Sequence, residues 1–297
     1  MMGTPRTASH LILLLILIAS ACSRADESSQ PSPTDTSSVP QASPTPTYGI
    51  GSTWISPLDG MEMVYVPAGP FVMGLEDPED LSRSHAIKLE PPQTVELLAF
   101  WIDKTELTND MYTQCVDAGI CEPPFEPAFP PYPNYYQNPI YGNHPVLGVT
   151  YENAERYCRW ANRRLPTETE WEKAARGEEG NLYPWGDETP NCGRASYLTC
   201  SIGTLAVGTL VGGASPYGAL DMAGNAWEWV ADWYEPEAYS TPFPVEGKVF
   251  TETLHVVRGG SWTNDEFVLG SGVRFIGWPI DEISVGFGFR CVRKVGP

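Results

Sequence analysis

Glycine and proline punctuate this chain so often, 28 and 29 residues of 297, that few stretches can run as a long helix. Proline removes a backbone donor and fixes φ, and glycine weakens the interiors of helices and strands. Long helical periodicity is correspondingly rare, and no internal repeat occurs. The pattern argues for a loop-rich α+β domain rather than a bundle or a βαβ array. Such a domain needs staples, and cysteine supplies them. Of 7 cysteines, Cys22 stands apart near the N-terminus. The other six are an even number, which in an exported chain suggests three disulfides. Cys115 and Cys121 are near neighbours in loop-like sequence, as are Cys192 and Cys200, which leaves Cys158 to pair with Cys291 across a long loop. With no C-x-x-C and only 4 histidines, a zinc site is not expected.

Export is read from residues 1–22. Arg6 gives a positive start, Leu11–Ala19 an apolar run too short to span a bilayer, and Ala19–Cys22 a small-residue cleavage site ending in cysteine. A cysteine in that place is the expected site of lipidation, which would anchor the chain to a membrane outside the cytoplasm. The alternative is ordinary secretion with Cys22 discarded. Residues 23–47 hold 7 Ser, 4 Thr and 5 Pro, too little apolar surface to offset the entropy of ordering. Residues 23–48 are therefore expected to be a disordered spacer, and 49–297 one domain. The net charge is −19. Residues 1–48 contribute two arginines against three acids, so a charge of −18 belongs to the domain, which argues against a nucleic-acid partner.

Within the domain, Met63–Gly74 predicts two short strands around a Pro-Ala-Gly turn. Thr108 is placed to cap a helix whose inner face is Met111, Tyr112, Cys115 and Val116, with Gly119 ending it. A second helix follows Thr150, with Ala154, Tyr157, Cys158 and Ala161 on one face. In "LPTETEWEKAARG" (Leu165–Gly177), Thr167 and Glu170 form a capping box, Trp171, Ala174 and Ala175 face inward, and Gly177 stops the helix. The Pro- and Tyr-rich stretch 121–139 predicts irregular structure.

Several strings, "RLPTETEWEKAARG", "YPWGDE", "SPYGALDMAGNAWEWVADWY", "VVRGGSW" and "GFGFRCVR", carry a resemblance in order along Met61–Arg293. Together they closely resemble the formylglycine-generating enzyme, or sulfatase-modifying factor, family. The resemblance implies a loop-rich variant of the C-type-lectin fold and supports the Cys158–Cys291 pair. It also implies copper-dependent oxidation of a cysteine in a Cys-x-Pro-x-Arg stretch of an exported sulfatase, at two thiolates two and seven residues after the aromatic of the Gly-Gly-Ser-aromatic turn. Here that turn ends at Trp262, and the two positions are Asn264 and Leu269. Neither offers a thiolate, which Cu(I) favours. No nearby cysteine is expected to substitute, since the six have partners elsewhere.

By the same resemblance Trp227 and Ser261 line the groove and Arg274 lies near a substrate peptide. Their plain alternatives are a core tryptophan, a turn-closing serine and an arginine paired with a carboxylate. The resemblance places a calcium ion on the Asp221 and Glu228 side chains and the Gly224 and Ala226 carbonyls, a hard-oxygen set that suits that ion. A second calcium at Ser196 and Tyr197 is not expected, because its downstream acidic partner is not apparent. An iron triad needs two histidines, but His85, His144 and His255 are far apart in sequence. "GGSWT" lacks the second glycine of a nucleophile elbow, and "GSGVRFIG" lacks the strand-to-helix context of a nucleotide loop. The function expected is a tethered binding or structural module for a protein, peptide or glycan. The alternative is an oxidoreductase acting on an exported protein by formylglycine-generating or non-haem iron chemistry.

Overall fold

Among the described residues, three short α-helices form where a threonine hydroxyl can accept an orphan N–H at the first turn. In the computed structural model, which describes residues 47–76, 89, 91–125, 132, 134–234, 254–277 and 286–296, α1 spans Asn109–Asp117 and Thr108 accepts from the Met111 N–H. Helix α2 spans Tyr151–Trp160 and Thr150 accepts from Asn153. Helix α3 spans Glu168–Arg176 with the full Thr167–Glu170 box, and Gly177 closes it at φ 75°. The export segment, Cys22, His85 and most of the spacer lie outside the described residues.

Among the described residues the strands form three sheets. Strands β1 (Thr53–Ile55), β2 (Glu62–Val66), β5 (Phe100–Asp103) and β10 (Val292–Lys294) make an antiparallel sheet in the order β1-β2-β5-β10. Strands β3 (Gly69–Met73) and β4 (Gln93–Leu97) pair as a ribbon. A third sheet runs β8-β7-β6-β9, from Phe275–Gly277, His255–Arg258, Trp227–Trp233 and Phe287–Phe289. Its β6–β9 pair is parallel and β6 carries a register shift between Trp229 and Trp233. Strands β2 and β3 do flank Pro67 and Ala68, yet each pairs with a different partner.

Two apolar clusters fill the spaces between these layers. One joins Tyr112, Tyr157 and Phe289 with Trp227 and Trp229, and the other joins Trp171, Ala174 and Ala175 with Val230 and Val256. All three disulfides pair as the spacing suggested: Cys115–Cys121, Cys158–Cys291 and Cys192–Cys200. The loop-rich, disulfide-stapled α+β architecture is therefore the observed one. One expectation was too narrow. Helix α3 buries Glu168, Glu172, Lys173 and Arg176 as well as its apolar face, so its burial reaches well beyond that face. Among the described residues no helix is long and apolar enough to cross a membrane.

Candidate functional site

Strand β7 ends in a buried ion-pair node. Arg258 donates to Glu168 Oε1 at 2.6 Å, to Glu172 Oε2 at 2.5 Å and to the Ser271 carbonyl at 2.7 Å. Arg274 donates from Nε to the same Glu168 oxygen at 2.5 Å, and its guanidinium lies over the Tyr234 ring. Burial without such partners would leave these charges very costly. Gly259 and Gly260 then turn the chain at φ 96° and 76°, where a Cβ would meet Trp171 at 3.2 Å and Leu269 at 3.0 Å.

The next four residues close on themselves. Asn264 Oδ1 accepts from the Ser261 N–H at 2.9 Å and from its hydroxyl at 2.8 Å. Ser261 is fully buried. Leu269, also fully buried, packs with Ala195, Tyr197 and Ala223. Trp227 is buried and stacks on Phe275 at 5.2 Å. The structure thus places Trp227 in the core, Ser261 in the turn and Arg274 on Glu168. The two positions where the resemblance places copper thiolates hold an amide engaged in a turn and an aliphatic side chain in an apolar cluster. A thiolate copper centre does not fit these two positions.

The six domain cysteines are engaged in disulfides as expected. One of them, Cys200, bonded to Cys192, packs against the cluster containing Leu269, while the Leu198 N–H donates to the Asn264 carbonyl at 2.8 Å. These segments are more than sixty residues apart in sequence, so only the fold brings them together. The outer face here is aromatic and acidic. Leu198 and Phe267 are each 57 % exposed. Tyr183 and Trp185 stack at 5.2 Å, half-buried, and pack against the cluster containing Leu269. Asp265 and Glu266 are exposed next to Phe267.

Below this face is a second charged node. Glu228 accepts from Arg290 Nε and Nη2 and from the Trp171 indole, each at 2.7 Å. Glu106 accepts from the Ala226 N–H at 2.9 Å and from Asn225 Nδ2 at 2.8 Å. Asp221 accepts from the Gly208 N–H at 2.6 Å. Burial, with Asp221 and Glu228 nearby, pushes the Glu106 carboxyl well above its usual range, and burial likewise raises Asp221. Three acids thus face one guanidinium. For calcium, Asp221 and the Gly224 and Ala226 carbonyls are a suitable oxygen set, while Glu228 has both oxygens committed to Arg290 and Trp171. Among the described residues, no three His, Cys, Asp or Glu side chains converge as a metal requires. A cation would have to rely on carbonyls. The bend is sterically demanding: Asp221, Gly224 and Asn225 all have positive φ, and a Cβ at Gly224 would lie 2.2 Å from the Ser196 carbonyl.

The described histidines serve different surroundings. His144 Nδ1 bonds the Thr204 hydroxyl at 3.0 Å. His255 lies between the Tyr151 and Trp233 rings, with Nδ1 3.3 Å from the Asp232 carbonyl. Sequence reasoning missed Glu106, Asn225 and Arg290 as members of the node. The only hint was an arginine beside the long-range disulfide cysteine in "GFRC".

Residues 56–295 match the family described as "Sulfatase-modifying factor enzyme 1-like domain". The chain belongs to this family. Formylglycine-generating enzyme of Thermomonospora curvata is 32 % identical over 290 residues, covering 77 % of this chain and 92 % of that protein. Hercynine oxygenase of Mycolicibacterium smegmatis is 33 % identical over 235 residues, covering 67 % of this chain. This family member spans only about half of that second relative, 54 % of its length. Among solved structures, PvdO from Pseudomonas aeruginosa superposes with a TM-score of 0.67 at 25 % identity, covering 84 % of this chain and all of that one. CarF superposes at 0.55 and 21 % identity, which speaks to fold alone.

Proposed function

We propose that this family member is a binding module outside the cytoplasm, anchored by a lipid at Cys22, whose aromatic and acidic face around Asn264 and Phe267 holds a protein, peptide or glycan. The carrying observation is that Asn264 and Leu269 are built into a turn and an apolar cluster. Catalysis by a sulfur-bound metal at those positions has no ligand there. Exposed Phe267 and Leu198 with acidic neighbours suit a partner that presents apolar surface beside positive charge. Family membership alone does not assign an activity, and the similarity to two oxidising relatives keeps the oxidoreductase reading as the contrary outcome of the test. That test supplies purified full-length protein with copper, oxygen, a reductant and a Cys-x-Pro-x-Arg peptide, read by mass spectrometry. The expected result is unchanged peptide. An aldehyde product surviving controls for contaminating enzyme would overturn the proposal.

For the structural cation, we propose that calcium is held by Asp221 with the Gly224 and Ala226 carbonyls, Glu228 contributing charge from its place on Arg290. Its role would be to pin the 221–226 bend beneath the face. Millimolar calcium should raise the melting temperature of the wild type and leave Asp221→Asn unmoved. Equal shifts in both proteins would remove Asp221 from the site.

A further inference from the structure

The three disulfides differ sharply in access. Cys158 and Cys291 are both 0 % exposed, and Cys115 and Cys121 are 0 % and 6 % exposed. Cys192 is exposed and Cys200 half-buried. Thiol–disulfide exchange needs a thiolate to reach one sulfur of the bridge, so access separates these pairs kinetically. The Cys192–Cys200 bridge also closes a loop with two unlike halves. Its inner part, Ala195–Tyr197, is buried, and Ser196 accepts from the Asn225 N–H at 2.8 Å and pairs with Gly224. Its outer part holds exposed Leu198 and leads to Ile202, 80 % exposed. Apart from the bridge, the described tie from Leu198 to the neighbouring turn is its N–H bond to the Asn264 carbonyl.

We propose that Cys192–Cys200 is a thiol–disulfide exchange site for an extracytoplasmic dithiol reductant, and that its reduction releases the Leu198 arm from the Asn264 turn. A thiolate of the reductant attacks Cys192 Sγ and breaks the bridge, and Cys200 leaves as a thiolate that takes up a proton. The reductant's second thiol then attacks the mixed disulfide, freeing Cys192 and leaving the reductant as its own disulfide. Two electrons pass from the dithiol to the bridge. The buried half keeps Ala195–Tyr197 docked, while the outer half loses its covalent closure beside the Leu269 cluster. The exchange does not depend on what the face binds.

Partial reduction of the full chain tests this directly. Native protein is treated briefly with dithiothreitol, the free thiols are alkylated, and the labelled cysteines are mapped by mass spectrometry alongside amide exchange. Expected is labelling of Cys192 and Cys200 at least about tenfold faster than of the other four domain cysteines. Protection of the Leu198 amide should fall about tenfold while that of β6 and β7 is retained. A bridge that resists reduction, equal labelling of Cys115 and Cys121, or unchanged Leu198 protection would each overturn the proposal. The variant carrying Cys192→Ser and Cys200→Ser should reproduce the exchange pattern without reductant. If that variant does not fold, the wild-type measurement still decides.

Discussion

At the scale of single residues, one guanidinium ties together strand ends and loops that are far apart in sequence. Arg290 is fully buried, forks onto Glu228, and also donates to the Asp103 carbonyl at 3.0 Å and the Leu220 carbonyl at 2.9 Å. Arg290→Met would leave buried Glu228 and Glu106, and half-buried Asp221, without their cation. Breaking a buried pair from one side costs about 3–5 kcal/mol, and urea denaturation should show a loss of that order. Arg290→Lys cannot reproduce the two-point fork and should fall between the two. A methionine variant as stable as the wild type would mean that Arg290 does not offset the burial of these acids.

The individual elements combine local signals with distant ones. Helix α3 starts where Thr167 and Glu170 reciprocally satisfy its first turn, so Thr167→Ala should cost about 1 kcal/mol in thermal or urea unfolding. An unaltered stability would show that the packing around Trp171 alone sets the helix start. The β6–β7 pair carries a pH-sensitive end. Desolvation between Tyr151 and Trp233 depresses His255 to about 4, against the opposing pull of the Asp232 and Ala231 carbonyls and of Glu152. A folded pKa below the unfolded one gives stability that is full above pH 6.5 and lost as pH falls toward 4. The change should reach about 2–3 kcal/mol. His255→Phe preserves the stack and should flatten this acid limb. An unchanged limb would assign it to other groups, such as the carboxylates of the buried nodes.

For the whole molecule, the bridge from α2 to the C-terminal strands is the main long-range tether. Cys158 and Cys291 are 133 residues apart, against 6 for Cys115 and Cys121. By loop-closure entropy the longer bridge should matter more by about 2–3 kcal/mol. Comparing double cysteine-to-alanine variants of each pair by thermal unfolding checks the order. Equal losses would place the contribution in packing around the sulfurs rather than in the unfolded chain.

How much could be read beforehand follows from the range of the forces involved. Threonine caps, the capping box and the stop at Gly177 act within four residues, so the sequence alone determined where all three helices begin. The even count of domain cysteines pointed to three disulfides, their spacing together with the family resemblance assigned the pairs, and the glycine and proline spacing determined a loop-rich class. The burial of Glu168, Glu172 and Arg176 was illegible, because apolar periodicity marks only one face of α3 and Arg258 lies ninety residues from Glu168. The same distance problem hid Glu106 from Asn225, and Cys200 from the Leu269 cluster. Buried charges are tolerated only where a partner arrives from another element. Which element arrives is settled by the strand order, and that order is a property of the tertiary structure alone.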